Sequence, residues 1–243
     1  NYGKLGLGNT TNYSSPKQVG ALTNWSSVAC GTYHTVSIKT DGTLWSWGQN
    51  NYGQLGLGNT TNYSSPMQVG ALTNWSSVSC GGYFTVSIKT DGTLWSWGYN
   101  YTGQLGLGNT TSYSSPKQVG ALTNWLSVSC GYFHTVSIKT DGTLWSWGRN
   151  SFGQLGLNNT TYYSSPKQVG ALTNWSSVSC GYAHTVSIKT DGTLWSWGYN
   201  GLGQLGLGNV TYYSSPKQVG ALTSWTKLFK GSTTQSTLAM KSS

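Results

Sequence analysis

The chain has 243 residues and a formal net charge of +9, from 13 Lys and Arg against 4 Asp and Glu. The basic residues recur with an internal repeat and form no cluster, which argues against nucleic acid as a partner. No apolar run approaches the roughly 20 residues that a membrane-spanning helix needs. Gly, Ser, Thr, Asn, Tyr and Trp dominate, and helix formers are thin, so the composition points to an all-β chain.

The repeat organises everything else. The run TVSIKTDGTLWSWG stands unchanged at residues 35–48, 85–98, 135–148 and 185–198. GALTNW begins at Gly20, Gly70, Gly120 and Gly170, and returns as GALTSW at Gly220. The units are 1–50, 51–100, 101–150, 151–200 and an incomplete 201–243, read as one domain. A period of this length falls in the range of propeller blades. No methionine opens the sequence and no signal peptide is readable, so it reads as a mature product or a fragment.

Taken in chain order, the first complete unit begins with a short strand at residues 27–30, followed by a turn at Gly31. Residues 35–40 alternate, with Val36 and Ile38 on one face, as a second strand requires. Asp41-Gly42 predicts a two-residue type I′ hairpin, with positive φ at both positions. Residues 43–47 form the returning strand, with Trp45 and Trp47 on one face. A glycine-rich connection at 53–58 leads to a fourth strand at 65–69, where Pro66 suits a sheet edge. Four antiparallel strands per unit make one blade. The fold expected is therefore an all-β propeller of four-stranded antiparallel blades. Five blades are favoured, and a fragment of a seven-bladed ring is the alternative.

The combination of HTVSIKTDGTLWSWG, the loop N-x-x-G-Q-L-G-L-G-N and a later S-P-x-x-V resembles the regulator of chromosome condensation (RCC) repeat family. The likeness covers essentially the whole chain. It implies a propeller, commonly of seven blades, that contacts proteins through the loops of one face; this chain offers at most five. Bacterial propellers of this type that clamp a protein with aromatic loops, and repeats displayed on phage or cell surfaces, are the parallels in function.

The chain ends look complementary. Residues 15–19 read as an outer strand lacking its inner strands, and 226–242 supply two inner strands lacking outer ones. Velcro-like closure would leave the counterpart of strand 43–47 missing: either the last blade is three-stranded, a neighbouring chain completes it, or the native protein is longer. Oligomers or strand exchange between near-identical blades are open to such a chain. In the last unit Lys230 replaces the repeated cysteine and residues 231–235 rewrite the following loop.

Chemistry finds little support. Cys30, Cys80, Cys130 and Cys180 occupy one repeat position, and ring-related positions seldom bring Cα atoms within the roughly 7 Å a disulfide needs. They read as buried thiols near the central channel. A fifty-residue period offers no metal-ligand spacing. The 53–58 run is G-x-x-G-x-G, the reverse of a dinucleotide fingerprint, so no cofactor is expected. No nucleophile is set beside a base, and the acids sit in the Asp-Gly turns. The chain is read as a non-enzyme.

Differences between copies carry more information. They concentrate after the first strand (Tyr33-His34, Tyr83-Phe84, Tyr132-Phe133-His134, Tyr182 with His184) and after the third (Tyr52; Tyr99 and Tyr101; Arg149 and Phe152; Tyr199 and Leu202). A lesser variable position holds Asn12, Asn62, Ser112, Tyr162 and Tyr212. In an up-and-down blade both variable loops emerge on one face, and rigid aromatics there suit recognition. The expected function is non-catalytic recognition of a protein or glycan through this face, in an extracellular, virion or cell-surface setting, of bacterial or phage type. An architectural repeat or fibre component, and an enzyme with a central-channel site, are the alternatives.

Overall fold

A computed structural model describes residues 2–229, 236 and 238–241. The first blade is β1 (Trp25–Cys30), β2 (His34–Lys39), β3 (Leu44–Gly48) and β4 (Tyr63–Gln68), hydrogen-bonded in that order. The second is β5 (Trp75–Cys80), β6 (Phe84–Lys89), β7 (Leu94–Gly98) and β8 (Tyr113–Gln118). The third is β9 (Trp125–Cys130), β10 (His134–Lys139), β11 (Leu144–Gly148) and β12 (Tyr163–Gln168). The fourth is β13 (Trp175–Cys180), β14 (His184–Lys189), β15 (Leu194–Gly198) and β16 (Tyr213–Gln218). The fifth begins with the pair β17 (Trp225–Phe229) and β18 (Leu238–Lys241). All pairings are antiparallel, and the all-β propeller expected from the sequence is the fold observed. Five blade units fit the repeat count.

The hairpin chemistry differs from expectation. Gly42 has φ +77°, but Asp41 does not share the positive φ that a type I′ turn demands. Gly42 N–H donates to the Lys39 carbonyl, and Lys39 N–H to that of Thr43. This is a longer loop closed by one left-handed glycine. Asp41 instead accepts at Oδ1 from the backbone N–H and the hydroxyl of Thr43, at 2.9 and 2.6 Å. Trp45 Nε1 donates to that hydroxyl at 2.9 Å. The acid thus fixes the turn and, through Thr43, orients a tryptophan.

The core lies between blades. Val36, Ile38, Leu44 and Val69 of the first blade pack on Trp75, Val78, Cys80 and Trp97 of the second. The same face-to-face set recurs between the second and third and between the third and fourth. Each blade also reaches into the next. The carbonyl of Gln54, in the connection after β3, accepts from Thr85 Oγ1 and Trp97 Nε1 of the following blade, at 2.9 and 3.0 Å. Lys4, Gln104 and Gln154 do the same at their own junctions. Gly56 stands so close to Trp97 that a Cβ there would lie 2.7 Å from the indole nitrogen.

Two expectations about the ends are corrected. Residues 15–19 join no ladder, because the outer strand of every blade pairs with a third strand and the fifth unit has none among the described residues. The rewritten loop at 230–235 lies outside the described residues. Cys80, Cys130 and Cys180 are buried as expected, whereas Cys30 is exposed, since β1 is covered by the second blade on one side and by no blade among the described residues on the other. The contrast is sharp at the matching valines: Val28 is 66% exposed, and Val78, Val128 and Val178 are 7%, 3% and 7%. No cysteine is in a disulfide.

Candidate functional site

The connections after the first and third strands do share a face. Gln49 N–H donates to the Tyr33 carbonyl, and Tyr99, Arg149 and Tyr199 repeat that bond to Tyr83, Phe133 and Ala183. The Asp-Gly turn lies at the other end of the blade, where Thr40 N–H reaches the Asn24 carbonyl.

The variable side chains stand on an invariant frame. Asn50, fully buried, accepts at Oδ1 from Leu55 N–H at 2.9 Å and donates from Nδ2 to the Asn59 carbonyl at 3.0 Å. Asn100, Asn150 and Asn200 make the same bonds. Gln54 Oε1 accepts from Tyr52 N–H, and Gln104, Gln154 and Gln204 hold residues 102, 152 and 202 likewise. The loop backbone is therefore pinned from inside while its outer side chains change from copy to copy.

Those side chains touch one another across blades. Tyr33 meets Tyr83 at a ring-centroid distance of 5.9 Å, and Tyr83 meets Tyr52 at 5.5 Å, Tyr99 at 6.3 Å and Tyr132 at 5.8 Å. Tyr99 also packs on Tyr52, Tyr101 and Phe133, at 4.8, 5.0 and 5.6 Å. Tyr132 continues the series to Phe133 at 4.4 Å and Tyr182 at 4.6 Å. Arg149 bridges the gap, its guanidinium 5.9 Å from the Phe133 ring and 6.0 Å from that of Phe152. Phe152 meets Tyr199 at 5.0 Å. Tyr101 and Leu202 protrude furthest, 72% and 68% exposed. Burial among neighbouring rings raises the Tyr99 and Tyr132 phenol pKa values, so both remain protonated donors.

Four expected members do not belong to this surface. His34, Phe84, His134 and His184 are buried, because each opens a second strand and turns inward against the next blade. His34 Nε2 lies 3.1 Å from Thr85 Oγ1, and His134 Nε2 lies 3.2 Å from Thr185 Oγ1. Each threonine hydroxyl is already donating to a loop carbonyl, so the imidazole donates from Nε2. Desolvation lowers the His34 and His134 pKa values from 6.5 to about 3, leaving both neutral. The exchange of His for Phe in the second copy is the signal of a packing role.

The structure adds members in turn. Tyr2 packs on Tyr33 at 5.7 Å, and Tyr212 on Tyr199 and Phe152 at 4.9 and 5.5 Å. Tyr162 Oη meets Ser151 Oγ. The lesser variable position thus lies against the third-strand loop: Asn62 Oδ1 and Ser112 Oγ accept from the backbone N–H groups of Asn50 and Asn100. Its variation in step with that loop was the available clue. No group of three metal-ligating side chains occurs among the described residues.

Successive four-stranded antiparallel blades, stacked face to face with their loop aromatics on one side, define a β-propeller scaffold. The chain belongs to the regulator of chromosome condensation (RCC1) repeat family, matched at residues 1–38, 41–88, 91–138, 141–188 and 191–234. A second RCC1 repeat description matches residues 25–54, 75–104, 125–154 and 175–204. Among solved structures, human WBSCR16 is similar over 100% of this chain and 66% of its own, at 20% identity and TM-score 0.81. Prp20p of Saccharomyces cerevisiae, studied for binding to Gsp1p and histones, is similar over 82% of this chain and 51% of its own, at 22% identity and TM-score 0.73. The yeast protein in complex with Kap60 gives 82%, 49%, 23% and 0.73. The chain therefore spans about half the length of the yeast structures. Likeness at these identities speaks for the shared fold.

Proposed function

We propose that this propeller is a non-catalytic recognition module that takes a protein, or a glycan, on its aromatic loop face. One observation carries the reading. From Tyr33 to Tyr199 the variable rings form an almost continuous belt over four blades, mounted on loops that buried Asn and Gln residues hold rigid. Pre-ordered aromatics cover area at low entropic cost, which favours their use as binding anchors. Prp20p, which shares the fold, was studied for binding to Gsp1p and histones and solved bound to Kap60, which puts protein ahead of glycan. An exposed setting, at a cell or virion surface, suits the low charge and polar composition.

The test is binding by the whole chain carrying Tyr101→Ala and Phe152→Ala, set beside Leu222→Ala as an exposed control elsewhere. Protein capture and glycan-array signals should fall by about tenfold or more for the pair, the loss expected of two anchors, and stay unchanged for the control. Equal binding by all three proteins would sink the face assignment. The architectural alternative rests on the uncovered first blade, where Val28 is 66% exposed; light scattering showing defined oligomers would favour it.

A further inference from the structure

Away from the aromatic face, the junctions between blades carry a second repeated feature. Open grooves of about 390, 370 and 440 Å³ contain Lys89, Lys139 and Lys189 respectively. In the first, Lys89 is 6% exposed and is joined by Trp75, Trp95, Leu57, Leu72 and Pro116. Its ammonium lies 3.7 Å from the ring centroid of Trp95 and 4.9 Å from that of Trp75. Lys139 and Lys189 repeat the arrangement, at 3.8 and 4.9 Å and at 3.7 and 5.0 Å.

These ammonium groups are held by ring faces, and among the described residues no carboxylate or carbonyl accepts a hydrogen bond from them. The tryptophans of each groove differ in how their N–H groups are placed. The buried indole N–H groups of Trp75, Trp125 and Trp175 have no acceptor, whereas that of Trp95 is satisfied by Thr93. The ammonium groups still reach solvent at the groove mouth, since they are not among the buried atoms without a partner, so an anion there would replace water. Each groove thus offers one cation over two indole faces, between largely apolar walls.

We propose that these inter-blade grooves bind organic carboxylates with an apolar or aromatic body. The carboxylate accepts from the lysine ammonium in a charge-assisted bond, while the body covers Leu57, Leu72 and Pro116 or their equivalents. One ammonium matches one negative charge. A dianion is disfavoured, because Asp91 sits two residues from Lys89 and its charge is felt there. Burial lowers the pKa of Lys89, Lys139 and Lys189, in keeping with cations that gain from an anionic neighbour. The carboxylate could be a free acid or the C-terminus of a peptide.

The experiment titrates the whole chain with phenylacetate, phenylacetamide, and a short peptide ending in Phe as free acid or amide. Trp indole resonances and calorimetry are the readouts. Both or either of the acids should bind, with each amide about tenfold weaker or more, the factor for losing a charged hydrogen bond. Binding of the free acid alone or the peptide alone identifies the source. Lys89→Met, Lys139→Met and Lys189→Met combined should weaken binding as much, with an unchanged circular-dichroism spectrum. Amides that bind as well as acids, or no response to either acid, would overturn the proposal. The amide comparison stands even if the lysine variant fails to fold.

Discussion

His34 and His134 show how position within a repeat decides chemistry. Held neutral at a pKa of about 3, each takes up its proton near 6.5 only when the chain unfolds. His184 is displaced the same way, to about 4. Between these values the unfolded state binds more protons, so the stability these residues confer is complete above about pH 6.5 and is lost as pH falls toward the folded value. The second copy has no such group, because Phe84 fills the equivalent site. Replacing His34, His134 and His184 together by Phe should flatten the dependence of Tm on pH between 6.5 and 4. An unchanged slope in thermal melts would show that these imidazoles do not govern acid sensitivity.

At the scale of the element, the Asp-Gly hairpin is the most constrained piece of the blade. Gly92 has φ +75°, and a Cβ there would stand 2.0 Å from the Thr123 carbonyl oxygen. Gly92→Ala should therefore cost at least about 2 kcal/mol, from backbone strain and the clash together. Denaturant melts measure it, and a loss below about 0.5 kcal/mol would contradict the geometry. The sequence made the strands legible because alternation and turn residues recur in register; β2, expected at 35–40, is His34–Lys39. It misjudged the turn, since Asp-Gly fits both a two-residue loop and a longer one, and only the hydrogen bonds of Lys39 and Thr43 separate them. The candidate face was legible as a pair of variable loops, yet not which side chains point outward. Tyr33 and His34 are adjacent, and the onset of β2 between them turns one to the surface and the other into the next blade.

For the whole molecule, stability resides in contacts between neighbouring blades, as in other repeat proteins. Among the described residues the first blade has a neighbour on one side only, so equivalent residues are not equivalent in consequence. Val28→Lys, at a position 66% exposed, should change stability by less than about 0.5 kcal/mol. Val128→Lys, at 3% exposed, buries an unpaired charge and should cost several times more. Chemical denaturation of the two variants compares them directly, and equal losses would mean that something covers β1 in solution.

The carbonyl of Gln54 grips Trp97 and Thr85 of the following blade, and the same grip recurs at each junction. Damage in this chain consequently has a direction. A lesion in one connection is felt first in the repeat after it, while the repeat before it keeps its own moorings. The blades overlap as shingles do: lifting one exposes the row beneath it, and weathering should spread toward the C-terminus.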